Sequence, residues 1–244
     1  MTDPLAPLLE LDGVAAAAKS AQDAVFAVHR HRANLRDGSA TAAEASVRAA
    51  RASAGTEGAD PELPAEGAVT DPVLAGALRV AEATESLLPT WRRAPAQALA
   101  RVHVLAAADL VSDSDALGRP RAEAGVGARL ELLSQLVTGA TAVPGPVLTA
   151  VVHGELLALR AFGSADGVVA RAASRLTMIA TGLDPKALTV PEVAYFRRAA
   201  QYREAAQAFA SGEADGVRQW LLFSCEAFEA GAREATSIAD AAAS

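Results

Sequence analysis

An all-α fold is what this sequence predicts, and three observations carry the expectation. Hydrophobic residues make up 51% of the chain while aromatics make up 4%, and alanine is abundant, which suits close-packed helices better than strands built from β-branched and aromatic residues. The 244 residues are enough to bury a sizeable core. Apolar residues recur at helical spacing wherever the pattern is clear.

The elements follow in order. A first helical pair is expected over about residues 8 to 55, then a Gly/Pro/acid loop over 52 to 72, ASAGTEGADPELPAEGAVTDP. Asp71-Pro72 reads as an N-cap and first turn ahead of Leu74, Leu78 and Ala81. Trp91-Arg92-Arg93 reads as a helix-joining turn, with a small exposed aromatic and basic patch as the alternative. His103 sits on a periodic apolar helix and reads as a core or boundary residue. LGRPRAEAGVGAR, 117 to 129, is the one stretch suited to a short β-hairpin or extended flap, and Pro120 removes one donor from any edge it offers.

Farther on, a helix starting near Gly167 carries Val169, Ala172, Ala173, Leu176 and Ile179 on one side and stops at Gly182, with Pro185 just beyond. Thr189 with Glu192 has capping-box spacing, and Pro191 is compatible with a first turn. In the last helix Val217, Trp220, Leu221, Cys225 and Phe228 form one apolar stripe, so Cys225 is expected in the core.

Charge narrows the partners. A net charge of −7 gives no basic face for DNA or RNA. Lys19 and Lys186 are the only lysines, an arginine bias that reads as coding composition. One cysteine excludes an internal disulfide, and no Cys/His cluster has zinc-like spacing. The N-terminus MTDPLAPLLELDG lacks a basic region followed by an apolar run, and no apolar run approaches the ~20 residues that span a bilayer. A soluble cytoplasmic protein without a membrane partner is the expectation.

The segment VVHGELLALRAFGSADGVVARAASR, 151 to 175, places RAFGSADGVVAR between an apolar helix and the start of another. It resembles the core of Fic (Fido-fold) proteins, whose pattern is HPFxxGNGRxxR. A second stretch, Ser53-Ala54-Gly55-Thr56-Glu57-Gly58, matches the Ser/Thr-x-x-x-Glu-Gly/Asn inhibitory motif found N-terminal to that core in many members. The similarity spans roughly residues 40 to 185. It implies a Fic-like helical bundle with an N-terminal segment (1–59) carrying the inhibitory-type motif, a core (60–185), and C-terminal helices (186–244) packed on it.

In that family the histidine activates a target hydroxyl, an acid holds magnesium, the glycine-rich turn and first arginine grip ATP, and AMP passes to a partner's Ser, Thr or Tyr. Here Arg160 stands at the histidine position and Ala161 at the proline. Phe162 is kept, Ser164 replaces the acid, Ala165 the glycine and Asp166 the asparagine. Gly167 is kept, Val168 replaces the first arginine, and Arg171 matches the second. A guanidinium cannot accept a proton at neutral pH, Ser164 is a weak magnesium ligand, and Asp166 puts negative charge where a phosphate would lie.

Three expectations result. Asp166 is read as the N-cap of the helix beginning at Gly167. Glu57 and Arg171 are expected to form an ion pair, a structural clasp in preference to a switch. The chain is read as a catalytically degenerate Fic-like protein acting as a binding or regulatory module, with a protein partner or a second copy. No cofactor is expected, ATP with magnesium entering only if residual transfer exists. The alternative is a nucleotidyl- or phosphotransferase with a non-standard site modifying protein hydroxyls, in which Arg160 grips a phosphate and His153 acts as base. A buried, hydrogen-bonded structural histidine is the competing reading of His153 and Glu155's neighbourhood. His29 and His31, two residues apart, are not expected to share a metal.

Overall fold

The computed structural model describes residues 3–36 and 38–243. Among them lie eleven α-helices and no strand. They are α1 (Val14–His29), α2 (Arg32–Arg36), α3 (Ser39–Thr56), α4 (Pro72–Trp91), α5 (Pro95–Ala107), α6 (Val126–Gln135), α7 (Gly145–Leu159), α8 (Asp166–Ala180), α9 (Pro191–Arg197), α10 (Ala199–Ala210) and α11 (Ala214–Ala242). No helix among the described residues is long and apolar enough to cross a membrane.

The centre is the antiparallel pair α7 and α8. Helix α7 is apolar on nearly every side and buried almost throughout, as a helix surrounded by other helices must be. One core, with Leu74, Leu87, Trp91, Leu99, Leu156 and Leu176, joins this pair to α4 and α5. A second, with Val25, Tyr195, Trp220, Leu221 and Phe228, joins α7 to α1, α9, α10 and α11. Helix α3 runs along α4, α9 and α8, so its C-terminal end reaches the α7–α8 turn.

Local signals explain several helix ends. Asp71 accepts from the N–H groups of Val73 and Leu74, each at 2.9 Å, with Pro72 in the first turn. Helix α8 ends ahead of Gly182 at φ +74°, a left-handed position that suits glycine. Cys225 is buried, and desolvation pushes its thiol up to about 12. Such a thiol is not a nucleophile near neutral pH.

Two expectations are corrected, the start of the loop and the capping box, and at two other places one of two alternatives is decided. Helix α3 continues through Thr56, so the loop begins later than residue 52. Trp91 is fully buried and forms no surface patch. The 117–129 stretch is not a hairpin: a short 3₁₀ turn (Ser114–Ala116) leads into an irregular segment that ends where α6 begins. Its backbone donors are spent inside the fold, Gly118 on His103 Nδ1 at 2.9 Å and Arg121 on the Ala161 carbonyl at 2.7 Å. The Thr189–Glu192 capping box is also absent, because stronger partners take both side chains. The Thr189 hydroxyl donates to Asp184, and Glu192 pairs with the buried Arg175 at 2.9 Å.

Close helix contacts rest on glycine. A methyl group at Gly76 of α4 would collide with the backbone carbonyl of Ala106 in α5, which cannot swing aside. Gly76→Ala is therefore expected to destabilise the protein by about 1–3 kcal/mol despite the better helix propensity of alanine. Urea unfolding measures it, and a neutral result would show that the two helices separate freely.

Candidate functional site

The α7–α8 turn is compact because its backbone is bent into unusual conformations. Arg160 closes α7 at φ +46°, Gly163 follows at +77°, and Ala165 sits at +51° immediately before α8. Left-handed backbone costs an alanine on the order of 1 kcal/mol more than a glycine. The two strained non-glycine residues persist because neighbours hold the loop from both sides. From outside, the Arg121 guanidinium donates to the carbonyls of Leu159 and Arg160 at 3.0 and 2.8 Å. From inside, Phe162 stacks on His103 with ring centroids 4.3 Å apart.

Asp166 does not cap α8. It is the first residue of that helix, Ala165 holds the cap position, and the carboxylate turns back to accept from the Phe162 N–H at 2.9 Å and from Gly163. Its other oxygen is buried without a partner, and desolvation raises its pKa above the ordinary carboxylate value. The carboxylate that stands before the first turn of α8 belongs instead to Glu57. A methyl group placed on Gly167 would strike it.

Glu57 reaches that point from the C-cap of α3. The chain leaves the helix through Gly58 at φ +95°, with the Ala59 N–H returning to the Ala54 carbonyl. Gly55, in the same turn, is needed for packing: a methyl there would approach the Phe196 ring to 2.7 Å. Ser53 and Glu57 are four residues apart and so lie on one helix face, and that face meets Arg171.

Arg171 is 2% exposed, and its charge is distributed over four hydrogen bonds. Nε donates to Ser53 Oγ at 2.8 Å, Nη2 to the Ser53 carbonyl at 3.0 Å and to Glu57 Oε1 at 2.8 Å, and Nη1 to the Tyr202 hydroxyl at 3.3 Å. The side chain of Glu57 is 36% exposed, so the pair is buried at the arginine end and open to the cleft at the other. Tyr202 also shares a hydrogen bond with His153 Nε2 at 2.8 Å. His153 is wholly buried among Tyr195, Tyr202 and Trp220, and Glu155 lies outside this cluster, paired with Arg129.

His103 is the second histidine near the turn. Gly118 N–H donates to Nδ1, so the ring proton sits on Nε2 and is directed at Ser164 Oγ, 2.9 Å away. In that tautomer the imidazole cannot take the serine proton. His29 and His31 face separate carboxylates, Asp184 and Asp240.

Burial holds the pKa of both His103 and His153 below the ordinary histidine value, and Arg171 depresses His153 further. The unfolded chain takes up protons near pH 6.5 that the folded chain refuses. Unfolding free energy is therefore full above that pH and falls as pH drops through it, by up to ~1.4 kcal/mol per pH unit for each group. Urea titrations between pH 7.5 and 5 check this. A flat profile, or the same slope in His153→Leu, would contradict it.

These elements surround a cleft of about 600 Å³. Its lining includes Glu57, Arg160, Ser164, Asp166, Gly167, Arg171, Tyr202 and Arg203. Val168 and Phe162 lie beneath the turn, buried in the core and outside this lining. Ser53 and Gly58 lie behind and beside it on the α3 end. Sequence reading placed His103 in the core or at its boundary, where it lies, and Arg121 in the 117–129 segment, but gave neither of them, nor Tyr202, a place at this site.

An all-helical bundle with a helix–turn–helix at its centre, a cleft over the turn and an N-terminal helix laid across it defines a recognisable class. The overall helical fold is similar to that in a crystal structure of a Fic family protein from Desulfovibrio desulfuricans, with a TM-score of 0.71, 93% of this chain and 74% of that chain covered, and 17% sequence identity. The chain has the Fic fold. No protein-family model matches the sequence, and no curated protein matches it.

Proposed function

We propose that this chain is a Fic-fold binding or regulatory module that has lost adenylyl transfer. The observation that carries the reading is that no histidine in or beside the cleft is free to take a proton from a hydroxyl, while the two carboxylates that line it, Glu57 and Asp166, are engaged by Arg171 and by the Phe162 N–H. Arg160 is permanently cationic. His103 presents its protonated nitrogen to Ser164, and its other nitrogen is held by Gly118. His153 is sealed beneath Tyr202. Loss of general-base assistance alone is worth ~10²–10⁴ in rate.

The residues do not fit magnesium and a triphosphate either. Ser164 offers a hydroxyl already hydrogen-bonded to His103 in place of a carboxylate. The Glu57 carboxylate stands against Gly167, and Asp166 adds a second negative charge beside it. Without a reaction to control, the Glu57–Arg171 pair serves as a clasp that ties α3 to α8. The partner this reading calls for is a protein, either another chain or a second copy, in a soluble setting.

Incubating the protein with Mg-ATP, alone and in a bacterial lysate, tests it by intact-mass and peptide mass spectrometry. No AMP adduct on the protein or on any lysate protein is the expected result. Adducts that require this chain would overturn the reading.

A further inference from the structure

The mouth of the cleft carries donors with no hydrogen-bond partner among the described residues, and the nearest charge to one of them, Arg160, is the Asp166 carboxylate, whose ionised form Arg160 favours. Because His103 Nε2 donates to Ser164 Oγ, the serine keeps its own hydroxyl proton for another acceptor, and Ser164 lines the cleft. Arg160 and Arg203 line it too, both exposed, and neither guanidinium has a hydrogen bond or ion pair among the described residues. Glu57 and Asp166 are the acceptors nearby, and each has one oxygen engaged within the fold. Glu57 Oε1 is held by Arg171, and Asp166 has one oxygen on the Phe162 N–H and the other buried.

Behind these donors, small apolar side chains alternate with polar ones. Arg203, Ala206, Gln207 and Ala210 recur at the spacing of one helix face on α10, and Leu157 and Ala158 of α7 complete the surface. The inner end of the cleft carries the Glu57 carboxylate, which disfavours a compact, multiply charged anion reaching Gly167. An extended ligand with separated carboxylates and an apolar residue between them suits both features.

We propose that this cleft binds an acidic peptide segment of a partner protein, its carboxylates on Arg160, Arg203 and the Ser164 hydroxyl and an apolar side chain on Leu157, Ala158, Ala206 and Ala210. The inference rests on the binding-module reading and gives it a ligand chemistry. Charge-assisted hydrogen bonds from guanidinium to carboxylate supply the directionality, and the open rim makes the binding sensitive to salt.

Titration calorimetry on the full chain tests it with three probes: a capped peptide of alternating leucine and glutamate, acetate, and inorganic phosphate. The peptide is expected to bind saturably, to weaken with added salt, and to lose about tenfold in affinity in Arg160→Ala and again in Arg203→Ala. Both side chains are exposed, and circular dichroism confirms that the variants fold. No peptide binding, binding unmoved by both substitutions, or phosphate or acetate binding as tightly as the peptide would each overturn the proposal. An AMP-transfer assay on the same sample keeps the two readings apart. A silent titration without AMP transfer defeats only the peptide site, whereas AMP transfer defeats the loss-of-catalysis reading.

Discussion

Replacing Arg171 by leucine is expected to lower the unfolding free energy by about 3–5 kcal/mol. For a chain of this size that moves Tm by about 10 °C. The guanidinium is the shared donor for Ser53 Oγ, the Ser53 carbonyl, Glu57 and Tyr202. Leucine fills much of the volume and leaves all four acceptors behind, the serine groups and tyrosine in a buried setting where water does not replace the lost donor. Glu57→Gln is expected to cost less, since an amide oxygen still accepts from Nη2 and the Glu57 side chain is partly exposed. Chemical unfolding of the two variants measures the asymmetry. A loss below ~1 kcal/mol for Arg171→Leu would show that α3 is held by apolar packing alone.

Glu57→Gly is the second large test, and its expected result is a loosened fold without AMP transfer. Removing the carboxylate clears the space before Gly167 and frees Arg171, the two changes that an obstructed but competent site would need. On the proposed reading the chemistry still lacks a histidine base, at ~10²–10⁴ in rate, and the cation that the Fic pattern has where this chain has Val168, at another ~10²–10³. These factors are not additive, yet either alone keeps the product near background. Mass spectrometry after incubation with Mg-ATP reads the outcome, and self-modification of the variant would contradict the account.

How much of this was legible in the sequence depended on how local the cause was. The Asp71 cap and the stop at Gly182 follow from residues within a turn of the helix end, and the structure has them. Ser53, Glu57 and Arg171 were recognisable because two spaced motifs named both sides of the contact. Where a side chain had a choice of partners, local rules failed. Thr189 and Glu192 have capping spacing, but Asp184 and the buried Arg175 hold them instead. Asp166 has the chemistry of an N-cap and turns back into the loop because Phe162 and Gly163 present their N–H groups there.

Nothing local in the sequence tied Tyr202 or His103 to the α7–α8 turn. Tyr202 lies 31 residues from Arg171, and His103 lies 61 residues from Ser164. His103 sits on the apolar helix α5 and Tyr202 on the largely exposed α10. Of the hairpin and the extended flap open to residues 117–129, the hairpin is absent for a similar reason: the segment is held by Ala161 and His103.

The central claim is that the Glu57 and Asp166 carboxylates leave no place for a triphosphate and that no histidine is free to serve as base. Calorimetric titration of the intact chain with Mg-ATP to millimolar concentration tests this most directly. The account predicts only heat of dilution. Saturable one-to-one binding that disappears in Arg171→Leu, while the variant remains folded, would contradict it.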